Sequence, residues 1–159
     1  MRKTGLGLLL GMIVMLAACS MAPQLPPPVR GTMSADEMTK RFVRKPGVAR
    51  VYVYRNTRHG KDFPVMLKVD DEEVGTLAGY TYMALELPPG VHRLRASNVE
   101  EGAIELMLEG GSTSFLQLNI GLSMAIGKPE LLPIHQLEGE NSIRTECSLV
   151  LPRKYGLNF

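Results

Sequence analysis

Segments in which apolar and polar residues alternate, separated by short runs of turn residues, fill the sequence from residue 48 to residue 120. Because successive side chains of a strand point to opposite faces, this period of two indicates strands with one buried face. Seven such segments occur, at residues 48–55, 65–69, 74–77, 80–87, 91–96, 103–109 and 112–120. Strands at this spacing favour packed antiparallel sheets over a parallel sheet. We therefore predict a mainly β domain, an antiparallel β-sandwich of about seven or eight strands, over residues 48–159.

Two turns in this run carry hairpin signals. The acidic residues 70–73 lie between the segments 65–69 and 74–77, and they predict a hairpin of these two strands. Gly110-Gly111 is a two-residue hairpin signal and predicts that the strands on either side of it also pair with each other.

The C-terminal third has a less regular pattern. Residues 121–133 are apolar but interrupted by glycines and prolines, which resist regular pairing, and residues 134–137 are compatible with an edge strand. Residues 140–151 fit two patterns, because Ile143 and Cys147 belong both to an alternating series and to a helical face. We favour a short helix for this last segment.

The first eighteen residues differ from everything that follows. A positive start, Met1-Arg2-Lys3, precedes fifteen apolar or small residues. This length fits a signal peptide rather than a transmembrane helix, which needs about 20 residues. The segment ends in Leu16-Ala17-Ala18-Cys19, which resembles the lipobox of bacterial lipoproteins. Small residues there let a peptidase approach the backbone, and the thiol of Cys19 is the group that a diacylglycerol can alkylate.

The lipobox resemblance implies thioether lipidation at Cys19, cleavage before it and acylation of the new N-terminus, for example by palmitate. Two or three acyl chains anchor a protein stably in a membrane, whereas one chain does so only marginally. Ser20 at the next position is typical of Gram-negative lipoproteins that reach the outer membrane, so the predicted location is the periplasmic face of that membrane. An ordinary secretory signal that happens to contain a cysteine is the alternative.

Residues 19–47 are predicted to be the lipidated cysteine, a proline-rich tether and a short helix. Residues 20–33 contain Pro26-Pro27-Pro28 and have no periodic pattern, which favours an extended spacer of ~3.1 Å per residue, or about 40 Å in all.

A capping box follows the tether. Ser34 and Glu37 have the spacing of a helix N-cap and its N3 partner, so we expect a helix from there to about residue 44. Met38 and Phe42 would share one face of it. That face packs on the domain or lies on anionic lipid headgroups, and we favour packing.

Charge and composition exclude several classes of protein. Of the 18 Lys and Arg, Arg2 and Lys3 belong to the leader, so 16 remain against 16 Asp and Glu. A nucleic-acid binder needs a cationic surplus, and none is left. The two cysteines exclude a disulfide-rich scaffold. With Cys19 consumed, Cys147 is either a buried hydrophobic residue or an odd thiol able to form an intermolecular disulfide, and we favour burial.

The motifs of enzymes and metal sites are missing from the sequence. It has no Gly-x-Ser-x-Gly, no His-x-x-x-His and no Cys-x-x-Cys, and its histidines, His59, His92 and His135, are scattered. The acidic turn at 70–73 lacks the spaced oxygen ligands of a calcium loop. We therefore predict no enzyme activity, no metal site and no cofactor.

Residues 49–55, Lys68-Val69-Asp70, 74–77 and Leu87-Pro88-Pro89-Gly90-Val91-His92 resemble the bacterial lipoprotein family known as domain of unknown function 2846. The resemblance covers roughly residues 48–150, and Leu-Pro-Pro-Gly-x-His is also similar to PEGA-type surface modules. Both resemblances imply a small β-sandwich displayed on a tether, with no assigned catalytic residues. Phe115 and the 121–133 segment depart from the family pattern.

The functional hypothesis is a lipid-anchored, noncatalytic interaction or structural module of the envelope. Its partners would be the membrane, through the acyl chains on Cys19, and an envelope protein or the cell wall. Met124, Ile126 and Leu131 are predicted as partner contacts, because apolar side chains on an irregular segment either cover the core or stay free for a partner. The alternative is a periplasmic lipoprotein that binds a ligand or inhibits a hydrolase.

Overall fold

The structure, a computed structural model, describes residues 24–122 and 126–158. In chain order its elements are α1 (Met33–Thr39), β1 (Ala49–Arg55), β2 (Val65–Val69), β3 (Glu72–Leu77), β4 (Thr81–Leu87), β5 (Gly90–Ser97), β6 (Glu101–Leu108), β7 (Thr113–Leu122), β8 (Ile126–Ile134), α2 (Gln136–Glu146) and β9 (Ser148–Leu149). The seven segments with a period of two are all strands, so the local pattern predicted them correctly.

The strands form two sheets, and the β-sandwich prediction is confirmed. One sheet has the order β8-β7-β1-β4-β9 and the other has the order β3-β2-β5-β6. Most neighbours are antiparallel, but β1 pairs with β7, and β4 with β9, in parallel. The chain reaches β7 directly from β6 of the four-stranded sheet, so β7 need not form a hairpin with its neighbour β1. Helix α2 carries the chain back to the five-stranded sheet, where β9 begins beside β4.

The main core lies between the sheets. Eighteen buried side chains form it. Val51, Leu67, Leu85, Leu94 and Leu118 are completely enclosed. Each large aliphatic side chain buried in this way contributes about 1.5–3 kcal/mol relative to an exposed one.

A second, aromatic cluster covers the opposite face of the five-stranded sheet. Tyr52 and Phe115 stack with ring centroids 5.1 Å apart, and Phe42 meets Tyr52 edge-on at 5.0 Å. Ile143 of α2 packs into the same cluster. Strand β1 is therefore buried on both faces, which explains why all seven of its residues are buried.

Helix α1 begins earlier and ends earlier than the capping box predicts. Its N-cap is Thr32 rather than Ser34, and the Thr32 hydroxyl accepts a 3.2 Å hydrogen bond from the Ala35 N–H. The helix ends at Thr39. Phe42 then takes a positive φ of 51°, which is sterically costly, and its ring is buried in the aromatic cluster.

The hairpin predicted at Gly110-Gly111 is wrong. Strand β6 pairs with β5, whereas β7 pairs with β1 and β8, so the two glycines carry the chain from one sheet to the other. The Gly111 N–H donates to the Val48 carbonyl at 2.8 Å and places β7 beside β1. The hairpin predicted between β2 and β3 is confirmed, with Asp70 and Asp71 at positive φ in its turn.

Residues 126–133 are more regular than predicted. Strand β8 pairs with β7 as an antiparallel hairpin at the edge of the five-stranded sheet. Its prolines, Pro129 and Pro133, fit because an edge strand has one side on which a missing N–H breaks no ladder. The pattern of glycines and prolines thus indicated an edge strand rather than an irregular segment.

Leu131 lies in this strand and is only 6% exposed, packed in the main core. Contrary to the prediction, its side chain is therefore not available to a partner, because the core uses it. Ile126 begins β8, and its side chain lies outside the described part of the chain. The short helix predicted over residues 140–151 is found in part, because α2 runs from Gln136 to Glu146 and Ser148–Leu149 form β9 instead. Of the edge strand predicted at 134–137, only Ile134 is in a strand, as the last residue of β8.

Residues 26–31, which we call the N-terminal strap, are attached to the domain rather than forming a free tether. The Gly31 N–H donates to the Leu149 carbonyl at 2.9 Å, and the Leu151 N–H donates to the Val29 carbonyl at 2.7 Å. The Thr76 hydroxyl donates to the Pro26 carbonyl at 2.9 Å. The strap thus lies beside β9, and the folded domain begins about twenty residues before the predicted boundary at 48.

Candidate interaction site

The N-terminal strap forms one wall of an open cleft of about 500 Å³. Three further parts of the chain complete it: the loop between β1 and β2, the turn between β3 and β4, and the junction of α2 with β9. The residues that line the cleft are Pro27, Pro28, Arg30, Lys61, Asp62, Ala78, Gly79, Tyr80, Glu146 and Ser148. Four segments that are distant in the sequence therefore meet at one concave surface.

Arg55, at the end of β1, holds the loop that carries Lys61 and Asp62. Its side chain is completely buried, and its guanidinium donates to the Phe63 and Gly60 carbonyls at 2.7 Å each. A third bond, of 3.2 Å, reaches the His59 carbonyl. Burial lowers the pKa of Arg55, but an arginine stays protonated in proteins. A buried charge bonded to three carbonyls fixes this loop against the sheet.

Tyr80 lies in the turn opposite, in a strained backbone conformation. Its φ is 58°, in the left-handed region, which costs roughly 1–2 kcal/mol for a residue with a side chain. Two hydrogen bonds hold it there: its N–H donates to the Arg55 carbonyl at 2.6 Å, and its carbonyl accepts from the Ser148 N–H at 3.0 Å. Strain of this kind persists only where the surrounding structure holds it, and it is concentrated at functional sites.

Gly79 allows the loop and the turn to approach each other closely. Its N–H donates to the Lys61 carbonyl at 2.8 Å. A Cβ atom at position 79 would lie 2.5 Å from the Cβ of Lys61 and 2.7 Å from the Thr57 carbonyl oxygen. No larger residue fits there without moving the wall of the cleft.

Two cationic and two anionic side chains line the cleft without forming ion pairs with one another. Arg30 and Lys61 carry positive charge, and Asp62 and Glu146 carry negative charge. Among the described residues, none of the four takes part in an ion pair. The cleft therefore presents both signs of charge to whatever enters it.

The buried ion pair elsewhere in the domain has a structural role. Glu86 of β4 accepts from Arg50 at 2.7 Å and from Lys45 at 2.9 Å, and both Glu86 and Arg50 are almost fully buried. Burial raises the pKa of Glu86, but the hydrogen bonds from Lys45 and Arg50 lower it by more, so the pKa lies below its usual value. Through Lys45, Glu86 attaches the segment before β1 to the sheet.

His92 joins two turns. One ring nitrogen lies 2.6 Å from the Asp70 carboxylate, and the other lies 2.9 Å from the Pro88 carbonyl. Burial raises the pKa of Asp70, but hydrogen bonds from the Arg93 N–H and from His92 bring it below its usual value. His92 thus packs beside the Pro-Pro-Gly turn.

Cys147, at the end of α2, is 4% exposed. Burial raises the pKa of its thiol to about 12, so the reactive thiolate is scarce at neutral pH. This environment favours the prediction of a buried hydrophobic residue over a disulfide partner.

Several predicted features lie outside the described residues: the signal-peptidase recognition residues Leu16, Ala17 and Ala18, the lipidation residue Cys19, and Met124. Within residues 24–122 and 126–158, no group of three or more His, Cys, Asp or Glu side chains is placed to hold a metal ion. No helix in the same ranges is both long and apolar enough to cross a membrane.

The chain is similar to an uncharacterized protein of Haemophilus influenzae. The two are 22% identical over 138 residues, which cover 85% of this chain and 78% of the relative. No family model matches the chain. The resemblance to the domain of unknown function 2846 family therefore stays a prediction.

Proposed function

We propose that the protein is a lipoprotein of the bacterial envelope, anchored by Cys19 at the periplasmic face of the outer membrane, and that its β-sandwich is a noncatalytic module that holds a partner in the cleft. The attached N-terminal strap is the observation that carries this proposal. The domain begins at Pro26, seven residues after Cys19, and the next residues, Pro27 and Pro28, line the cleft.

This connection limits how far the domain can move from the membrane. Residues 20–25 number six, and a fully extended chain spans at most about 3.6 Å per residue, or roughly 22 Å. The sequence alone suggested a spacer of about 40 Å. The shorter link keeps the cleft close to the bilayer, so its partner is at the membrane surface or in the cell wall next to it.

The core favours this module over the ligand carrier. A carrier needs an apolar cavity that the core does not fill. The eighteen side chains of the main core are each at most 6% exposed, so they leave no space among themselves for an amphiphile. The cleft, in contrast, is polar and open, as expected for contact with a protein or a cell-wall partner.

Replacing Cys19 by Ser tests the anchor. We expect the Cys19→Ser variant to accumulate as an unprocessed precursor that incorporates no labelled palmitate. Cys147→Ser, which removes the other cysteine, should be processed and labelled as the wild type is. Normal processing and membrane extraction of Cys19→Ser would refute the lipoprotein proposal.

A photo-crosslinking residue tests the module. We expect crosslinking from position 80, in the cleft, to capture the envelope partner in intact cells. The same residue at position 91, which is exposed on the outer face of β5, is the matched control. Equal yields of the same adduct from both positions would show that the cleft is not the binding surface.

A further inference from the structure

The charges of the cleft indicate the chemistry of its ligand. Lys61 and Asp62 are adjacent on the loop that Arg55 fixes, and Glu146 and Arg30 lie on the other segments that line the cleft. Arg30, Lys61, Asp62 and Glu146 are all exposed and make no ion pair among the described residues, so the cleft has no net formal charge but presents both signs to a ligand. A ligand of one sign would meet repulsion from one pair, whereas a ligand that carries both signs satisfies both pairs.

We propose that the cleft binds a short peptide with a free ammonium group and a free carboxylate. The carboxylate is bound by Arg30 and Lys61, and the ammonium group by Asp62 and Glu146. The volume of about 500 Å³ lies within the range of about 300–1,000 Å³ that is usual for small-ligand sites. This inference rests on the proposed interaction function and names the class of partner that the cleft holds.

The uncharged part of the lining favours a peptide over a lipid. Pro27, Pro28, Ala78 and Tyr80 supply its apolar atoms, and the residues that line the cleft include no Leu, Ile, Val, Met or Phe. An acyl chain would find little apolar surface there. A peptide backbone, in contrast, packs on proline and tyrosine rings and hydrogen-bonds polar groups such as the Ser148 hydroxyl.

Calorimetry with capped and uncapped peptides tests the proposal. The probes are trialanine with free ends, N-acetylated trialanine and trialanine amide, titrated into the mature protein extracted in detergent micelles. We expect trialanine to bind, and each cap to weaken the affinity about tenfold, because each removes one charge-assisted contact. Equal affinity for all three probes would overturn the proposal.

Single substitutions assign each end of the peptide. Lys61→Gln should weaken the binding of trialanine about tenfold but leave the binding of trialanine amide unchanged, because the amide has no carboxylate to lose. Glu146→Gln should weaken trialanine but not the N-acetylated form. The control variants are Arg93→Gln and Glu105→Gln, which lie opposite each other on β5 and β6, away from the cleft, and should bind as the wild type does.

Three other outcomes would overturn the peptide assignment. Binding to vesicles of a zwitterionic phospholipid that is lost in Lys61→Gln and Glu146→Gln would assign the site to a lipid headgroup. If neither probe binds but position 80 still crosslinks its partner in cells, the ligand class is wrong and the interaction function stands. If neither probe binds and the crosslink also fails, both proposals are wrong.

Discussion

The side-chain hydroxyl of Thr76 donates a 2.9 Å hydrogen bond to the backbone carbonyl of Pro26, fifty residues earlier in the chain. Thr76 lies in β3, at the edge of the four-stranded sheet, whereas the rest of the strap pairs beside β9 of the other sheet. The strap therefore contacts both sheets. It closes one side of the sandwich and at the same time forms a wall of the cleft.

Thr76→Val should loosen the strap. The variant keeps the shape of the side chain but removes the hydrogen bond, so we expect the free energy of unfolding to fall by about 0.5–1.5 kcal/mol. Proteolysis between residues 24 and 31 should also become faster. Urea unfolding and limited proteolysis measure the two effects.

Thr113→Val is the matched control. The hydroxyl of Thr113 is buried and has no hydrogen-bond partner among the described residues, so its removal should be neutral or slightly stabilising. If Thr76→Val and Thr113→Val behave alike, the bond to Pro26 does not hold the strap.

Arg55→Met should disorder the wall of the cleft that carries Lys61. The substitution leaves three carbonyls without their donor, and we expect a loss of roughly 2–4 kcal/mol in the free energy of unfolding. Hydrogen exchange at the Gly79 N–H, which is bonded to the Lys61 carbonyl, should accelerate with it. Arg93→Met, at an exposed position of β5, should change neither measurement. Unchanged exchange at Gly79 would show that Arg55 does not hold the loop.

Glu86→Gln should make stability less dependent on pH. Because the pKa of Glu86 is lowered in the folded chain, its carboxylate stabilises the fold above the ordinary glutamate pKa of about 4.3. That contribution is lost as the pH falls through the lower pKa of the folded state. We therefore expect Glu86→Gln to be less stable than the wild type at about pH 7, and to lose less stability between about pH 5 and pH 2.

Urea midpoints measured across this pH range test the prediction. Glu109→Gln, which removes an exposed carboxylate, should follow the wild-type curve. Parallel curves for Glu86→Gln and the wild type would show that the pair with Arg50 does not contribute to the pH dependence.

The sequence predicts the strands well but their partners less well. Alternation is a local property, so the segments from β1 to β7 can be recognised without the rest of the fold. Pairing depends on distant contacts. Gly111 bonds to Val48, sixty-three residues earlier, and this long-range bond places β7 beside β1 instead of β6. Similarly, Pro129 and Pro133 are compatible with β8 only because that strand lies at an edge.

The candidate site is less predictable than the fold. Arg30, Lys61, Tyr80 and Glu146 come from four segments, and no spacing in the sequence connects them. One signal was available in the sequence: Arg55 continues the series Ala49, Val51 and Val53 on the face of β1 that the alternation predicts to be buried, where an arginine is rare. The attachment of the strap had no signal, since a proline-rich segment reads as a spacer whether or not the domain binds it.

Mass spectrometry of the mature N-terminus shows whether the protein is lipidated at Cys19. The protein is extracted from outer membranes with detergent and digested, and its first peptide is sequenced. The lipoprotein proposal predicts a peptide that begins at Cys19, with a diacylglycerol on the sulfur and an acyl chain on the amino group. A peptide that begins at any other residue, or at Cys19 with a free thiol and no acyl chain, would contradict it.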